Sequence, residues 1–247
     1  MIKSYLRNAT AFALLFLFSN VSLGQALISE IEQDDISVLL NNRTFVTMAN
    51  GDTLSGKLLS ATLANGYLKN VTLKFTDDSK RKFSASEISS MKVKTSRLAK
   101  LSMINEAGSS VKELAKTDFS QIINRDYIFF EQGLRATKKD KPALLQLLNP
   151  GFDQKIKVFA DPNARETNGV SVEGVVLTGG FEKSYLFVKG SDKAVIVRKG
   201  SYRRNFDELY GDCVKMLQLA DGQKIRFEDL PGHIHLYNTL CITASAD

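Results

Sequence analysis

Apolar and polar residues alternate with a period of two along most of this chain, and the period lengthens only near its end. The clearest case is the stretch 44–58 (TFVTMANGDTLSGKL), where Phe45, Met48, Leu54 and Leu58 flank Asn50-Gly51-Asp52, with Val46 on the other face. β-Branched Thr44, Val46, Thr47 and Thr53 favour a pleated backbone. Asn-Gly supplies residues that tolerate the positive φ of a hairpin turn, so two strands are expected here. Asp52 is expected to add a side-chain bond to the turn, and Gly56 to mark a bulge or bend. An anion or metal loop at Gly51-Asp52 is the competing interpretation; the turn chemistry favours a plain turn.

Residues 67–75 alternate Val71, Leu73 and Phe75 with Thr72 and Lys74, a half-buried strand pattern. Thr76-Asp77-Asp78-Ser79 is a turn signal and residues 80–83 start a return strand. Ser84 and Glu87 have the spacing of a capping box, which predicts a single helical turn before a last short strand at 91–93. Five short strands in so small a space predict an SH3-like barrel over 43–94, preceded by an acidic lead-in over 25–42. The lead-in holds Glu30, Glu32, Asp34 and Asp35 but lacks the glycine and ligand spacing of a calcium loop, and is read as solvated.

Residues 95–117 are polar and helix-leaning, the best candidate for a linker. Strands are then predicted over 126–135, 143–148 and 155–159, with Asn149-Pro150-Gly151 as a strong turn. The segment 167–180 is glycine-rich. A phosphate loop there needs a helix after it, and a strand pattern follows instead, so a bulged β segment is expected. Residues 184–188 and 194–198 form a second hairpin pattern. From 201 to 217, Phe206, Leu209, Tyr210, Cys213 and Leu217 fall at helical spacing, with Asn205 as a candidate cap. A second helix is predicted over 228–241 from Leu230, Ile234, Tyr237 and Cys241, after a short extended piece at Ile225 and Phe227. The expected fold is mostly β (α+β): the small barrel, then a second antiparallel β unit over 118–247 ending in two packed α-helices.

Composition adds an address. Residues 1–24 resemble a secretory signal peptide: Lys3 and Arg7 precede the apolar run AFALLFLF at 11–18, and Ser22-Leu23-Gly24 supply small residues for cleavage after Gly24 or Ala26. The run is far shorter than the roughly twenty residues that cross a bilayer. An exported protein of the periplasm, cell surface or medium is expected, with no transmembrane span after cleavage. Loss of Lys3 and Arg7 lowers Lys+Arg from 33 to 31 against 27 acids, and the net charge from +6 to +4. The basic residues are spread along the chain, with short clusters at 80–82, 138–141 and 203–204, which argues for solvated surface and against nucleic acid.

The two cysteines, Cys213 and Cys241, both lie near the end of the chain. In an oxidising compartment such a pair predicts a disulfide. Free thiols, or a metal site with His233 and His235, are the alternatives, but zinc-type Cys-x₂₋₄-Cys spacing is missing. The two histidines, the only ones, are two residues apart and do not share a helix face. No G-x-S-x-G elbow is present. Asp207-Glu208 and Glu228-Asp229 read as helix-dipole partners. With no Trp, sugar-binding platforms fall to Tyr67, Tyr127 and Tyr185, which read first as packing residues. No catalytic residue, cofactor site or metal site is expected.

Four segments carry a resemblance: Asn50-Gly51-Asp52-Thr53 through Lys57, the LNPGF run at 148–152 with the KIKV strand at 155–158, the tyrosine-to-lysine strand 185–189, and Leu209 through Asp212-Cys213. In this order they resemble a family of uncharacterised exported proteins of bacteroidete bacteria, over roughly residues 43–241. The resemblance implies export and architecture, and no activity. The function expected is therefore a non-catalytic binding or envelope interaction module, whose partner is an envelope protein or cell-surface ligand. The alternative is a hydrolase-like enzyme pairing an Asp or Glu with His233 or His235.

Overall fold

Each of the five strands expected between residues 43 and 94 forms: β1 (Arg43–Met48), β2 (Thr53–Ala64), β3 (Tyr67–Lys74), β4 (Lys80–Ser84) and β5 (Ile88–Lys94). They pair antiparallel in the order β5-β1-β2-β3-β4 in a computed structural model that describes residues 27, 33–97, 99–101, 125–134, 142–164, 166–172, 175–181, 184–190, 194–221 and 224–241. The signal-like residues 1–24, most of the linker and the basic cluster 138–141 lie outside the described residues.

Local chemistry explains the joints. Gly51 takes φ +91° at the first turn, and Asn50 Oδ1 accepts the Asp52 N–H at 3.1 Å. The side-chain bond to the turn backbone thus comes from Asn50, not from Asp52 as expected. The bulge expected at Gly56 lies further along, between Leu58 and Ser60. Gly56 serves instead as a point of close approach, because a Cβ there lies 2.7 Å from the Lys74 carbonyl oxygen. Between β4 and β5 a single 3-10 turn, Ala85–Glu87, forms where the capping box predicts one, with Glu87 Oε2 accepting the Ser84 N–H at 2.7 Å.

The barrel is closed by strands from beyond the linker. β6 (Tyr127–Leu134) pairs with β5, β7 (Pro142–Leu147) pairs with β6, and Leu144 of β7 bridges back to Leu68 of β3. The closed barrel therefore has six staves, β1, β2, β3, β5, β6 and β7, where the local pattern suggested five strands. Among the described residues β4 pairs with β3 alone, and of its residues only Phe83 is buried. Ile128, Phe130 and Leu144 supply the apolar wall that β4 lacks.

The lead-in, read from sequence as solvated, contributes to this core. Its 3-10 helix Gln33–Leu39 places Leu39 among Val46, Leu58, Val71 and Ile88 with 1% of its surface exposed. Four acids dominate the lead-in's composition and hide the apolar positions that dock.

From β7 the sheet continues through β8 (Ile156–Ala160), β11 (Ser184–Lys189) and β12 (Val195–Arg198), ten strands in all. The glycine-rich stretch forms a separate hairpin, β9 (Glu166–Val172) with β10 (Val175–Phe181), whose register slips twice, as a bulged β segment should.

The C-terminal end holds three helices, α1 (Phe206–Tyr210), α2 (Val214–Ala220) and α3 (Leu230–Leu240), and residues 97 and 99–101 are also helical, just after β5. The single helix expected over 201–217 is split in two at Gly211-Asp212-Cys213, where Cys213 is extended at φ −121°, ψ 100°. Asn205 sits at the N-cap of α1 but makes no side-chain cap bond. α3 starts at Leu230, later than expected, with Pro231 in its first turn. The three helices pack on β8 and β11 around Ile156, Phe187, Tyr210, Met216 and Ile234. Among the described residues no helix is long and apolar enough to cross a membrane.

Candidate functional site: a cationic and aromatic barrel face

Period-two alternation sorts β1, β5 and β6 into two faces. Thr44, Val46, Met91, Val93, Ile128 and Phe130 point inward and are buried. Arg43, Phe45, Lys92, Lys94, Tyr127 and Phe129 take the alternate positions, the cations exposed and the rings half-buried. Register then aligns these residues across the sheet. Phe45 pairs with Ser55 on one side and Lys92 on the other, and Lys92 pairs with Phe129. One step along, Arg43 pairs with Lys57 and Lys94 with Tyr127. The pairing of Thr44 with Val93 puts Arg43 and Lys94 on that same row. Four neighbouring strands about 4.8 Å apart make the strip about 14 Å wide.

The rings position the cations. Lys92 Nζ lies 5.1 Å from the Phe45 ring centre and 5.2 Å from that of Tyr127. Arg43 Cζ lies 5.0 Å from the Phe45 centre. Phe45 and Tyr127 meet edge to face at 6.0 Å, and Tyr127 and Phe129 are tilted at 6.5 Å. Each cation–ring contact at such an exposed place contributes about 0.5–1 kcal/mol, enough to bias a flexible ammonium without neutralising it.

Carboxylates are scarce on this face. Of the outward positions on β1, β5 and β6, Glu131 alone is acidic, and it is held by Lys157. The exposed Asp126 precedes β6, and its backbone carbonyl accepts the Thr95 N–H at 2.8 Å. Among the described residues Arg43, Lys57, Lys92 and Lys94 enter no ion pair. The strip holds four such charges beside three aromatic rings, an arrangement suited to anionic groups carried on an apolar or ring-shaped framework.

Apart from Tyr127, the residues singled out from sequence lie elsewhere. Cys213 and Cys241 form a disulfide with their Cα atoms 5.6 Å apart, which occupies both sulfurs that a metal site with His233 and His235 needs. Among the described residues no cluster of three His, Cys, Asp or Glu side chains could hold a metal ion. His233 Nδ1 is 2.8 Å from the Tyr202 hydroxyl, which is 3.2 Å from that of Tyr210. Burial lowers the His233 imidazole from its ordinary value against an opposing pull from the Asp229 charge. Burial raises both phenols, Tyr202 further through its neighbour Tyr210. His235 packs edge-on against Phe152 at 5.8 Å, and its buried Nδ1 has no hydrogen-bond partner among the described residues. No hydrogen bond among the described residues joins either imidazole to a carboxylate.

Asp207 and Glu208 occupy the first turn of α1, and Glu228 and Asp229 the 3-10 turn before α3, consistent with dipole partners. Asp229 is also clasped by Arg226 through two bonds of 2.7 and 2.8 Å.

Of the three tyrosines weighed as sugar platforms, Tyr67 is buried and Tyr185 stacks on Phe227 at 5.8 Å. Tyr127 is the one that joins the strip. Sequence reasoning missed the strip as a unit, although its members stand at alternate positions of four strands that the sequence pattern predicts. What it lacked was the register that lays β5 beside β1 and β6 beside β5.

No family model matches the chain, and comparison with curated proteins and with solved structures returns no match either.

Proposed function

We propose that this chain is an exported, non-catalytic interaction module that holds a component of the cell envelope on the outer face of β1, β5 and β6. The observation that carries the reading is the strip itself: Arg43, Lys57, Lys92 and Lys94 without a carboxylate partner among the described residues, set around Phe45, Tyr127 and Phe129. Three further features support it. Residues 1–24 have the composition of a secretory signal. The disulfide suits an oxidising compartment. The ordered segments at 50–57, 148–158, 185–189 and 209–213 resemble exported bacteroidete proteins.

Co-sedimentation with washed envelope material from a bacteroidete bacterium tests the proposal. The native protein is expected to sediment with the material, and an Arg43→Glu, Lys92→Glu variant to lose roughly tenfold or more in apparent affinity, because reversed charges on a complementary face oppose docking. Equal sedimentation of the two proteins contradicts the assignment of this face.

A further inference from the structure

Resting on that binding reading, we propose that the ligand of the β1–β5–β6 face is an acidic polysaccharide, a chain of sugar rings bearing carboxylate or sulfate groups. Shape is the first argument. Lys57, Arg43 and Lys94 stand on one row across adjacent strands, with Lys92 one step along. Charges spaced by about 4.8 Å between strands match a polymer with repeated anions better than a single compact headgroup, which needs its cations to converge.

Ring chemistry is the second. Phe45, Tyr127 and Phe129 are half-buried, and Arg43 and Lys92 lie over Phe45 while Lys92 also approaches Tyr127. A nucleobase needs an open ring face on which to stack. Here the cations cover the rings, which hold the ammonium and guanidinium groups in place rather than stack on the ligand, so the ligand's acidic substituents meet Arg43 and Lys92 directly.

Backbone availability is the third. β1 lies between β5 and β2, and β5 between β1 and β6, so the strip has no open strand edge at its centre. An acidic peptide adding as an extra strand has no backbone partners there. Side chains alone must do the binding, which a polysaccharide permits.

The probe set is polygalacturonate and heparin as acidic chains, dextran as a neutral one, and a single-stranded oligonucleotide as the competing polyanion. Binding of the purified protein to immobilised polygalacturonate or heparin is expected, with a loss of roughly tenfold or more as salt rises from about 0.02 to 0.2 M. It should be lost in the Arg43→Glu, Lys92→Glu variant, reduced severalfold by Tyr127→Ala, and retained by a Lys80→Glu, Lys215→Glu control with the same number of reversed charges. Circular dichroism verifies that each variant is folded.

Absence of binding to both acidic chains overturns the inference, as does equal loss in the control variant, equal binding of dextran, or preferential binding of the oligonucleotide. If neither acidic chain binds but the face variant still fails to sediment with envelope material, the polysaccharide inference falls and the interaction module stands. If both assays are unaffected by the face variant, both fall.

Discussion

Two buried asparagines take the place of missing strand partners between residues 149 and 158. Asn149 Nδ2 donates to the carbonyls of Phe152 and Ile156 at 2.9 and 2.8 Å, and its Oδ1 accepts the Val158 N–H at 2.8 Å. Asn238, on α3, accepts the N–H groups of Lys155 and Ile156 at 2.9 Å and donates to the Phe152 carbonyl at 2.7 Å. Asn238→Ala takes the acceptor from the Lys155 and Ile156 N–H groups in a buried corner, while the Phe152 carbonyl keeps its bond from Asn149, and is expected to cost about 2–4 kcal/mol, since each orphaned group forfeits its solvation. Urea unfolding checks this; a loss below about 1 kcal/mol shows that water replaces the amide. The Asn149-Pro150-Gly151 turn was legible from its residues. The Asn238 clasp was not, because its partners lie 82 and 83 positions away. The same holds for Asp212. Burial pushes its carboxyl up, but hydrogen bonds from Lys189 and Tyr237, both 2.6 Å, with the lysine's charge, hold it below the usual range.

At the level of elements, the disulfide and the helix break explain each other. Cys213 leaves helical geometry at the end of α1 and bonds Cys241 at the C-terminus of α3, closing a loop of 28 residues. Loop-closure entropy puts its contribution at about 3.6 kcal/mol. A Cys213→Ser, Cys241→Ser variant is expected to show an unfolding free energy lowered by that amount, with a urea midpoint equal to that of native protein measured under reductant. An unchanged midpoint indicates that packing of α1–α3 on β8 and β11 suffices alone. Helical spacing found both cysteines on inward faces but missed the interruption, since periodicity carries no information on where a covalent bond bends the chain. β7 shows the opposite limit. Every residue from Ala143 to Leu147 is buried, Leu144 in the barrel core and Ala143, Leu145 and Leu147 in a cluster on its outer side. A strand buried on both faces loses its alternation, so its length and the following turn were the usable signals.

Over the whole molecule, one ten-stranded sheet carries both the barrel and the platform for the helices. The linker expected over 95–117 separates β5 from β6 in sequence, yet the two strands pair at five positions. This pairing sets Tyr127 and Phe129 beside the cations Arg43, Lys57, Lys92 and Lys94, which look dispersed along the chain but which the pairing of β1 with β2 and β5 gathers into a strip. A mild net charge of +6 conceals such a local field, because potential depends on where charges meet in space. Amine footprinting of the envelope-bound protein tests that strip most directly. With envelope material present, acetylation of Lys57, Lys92 and Lys94 should fall severalfold, while exposed Lys80 and Lys215 keep their reactivity. Unchanged labelling of the first three, or protection centred on Lys80 or Lys215, contradicts a binding role for the β1–β5–β6 face.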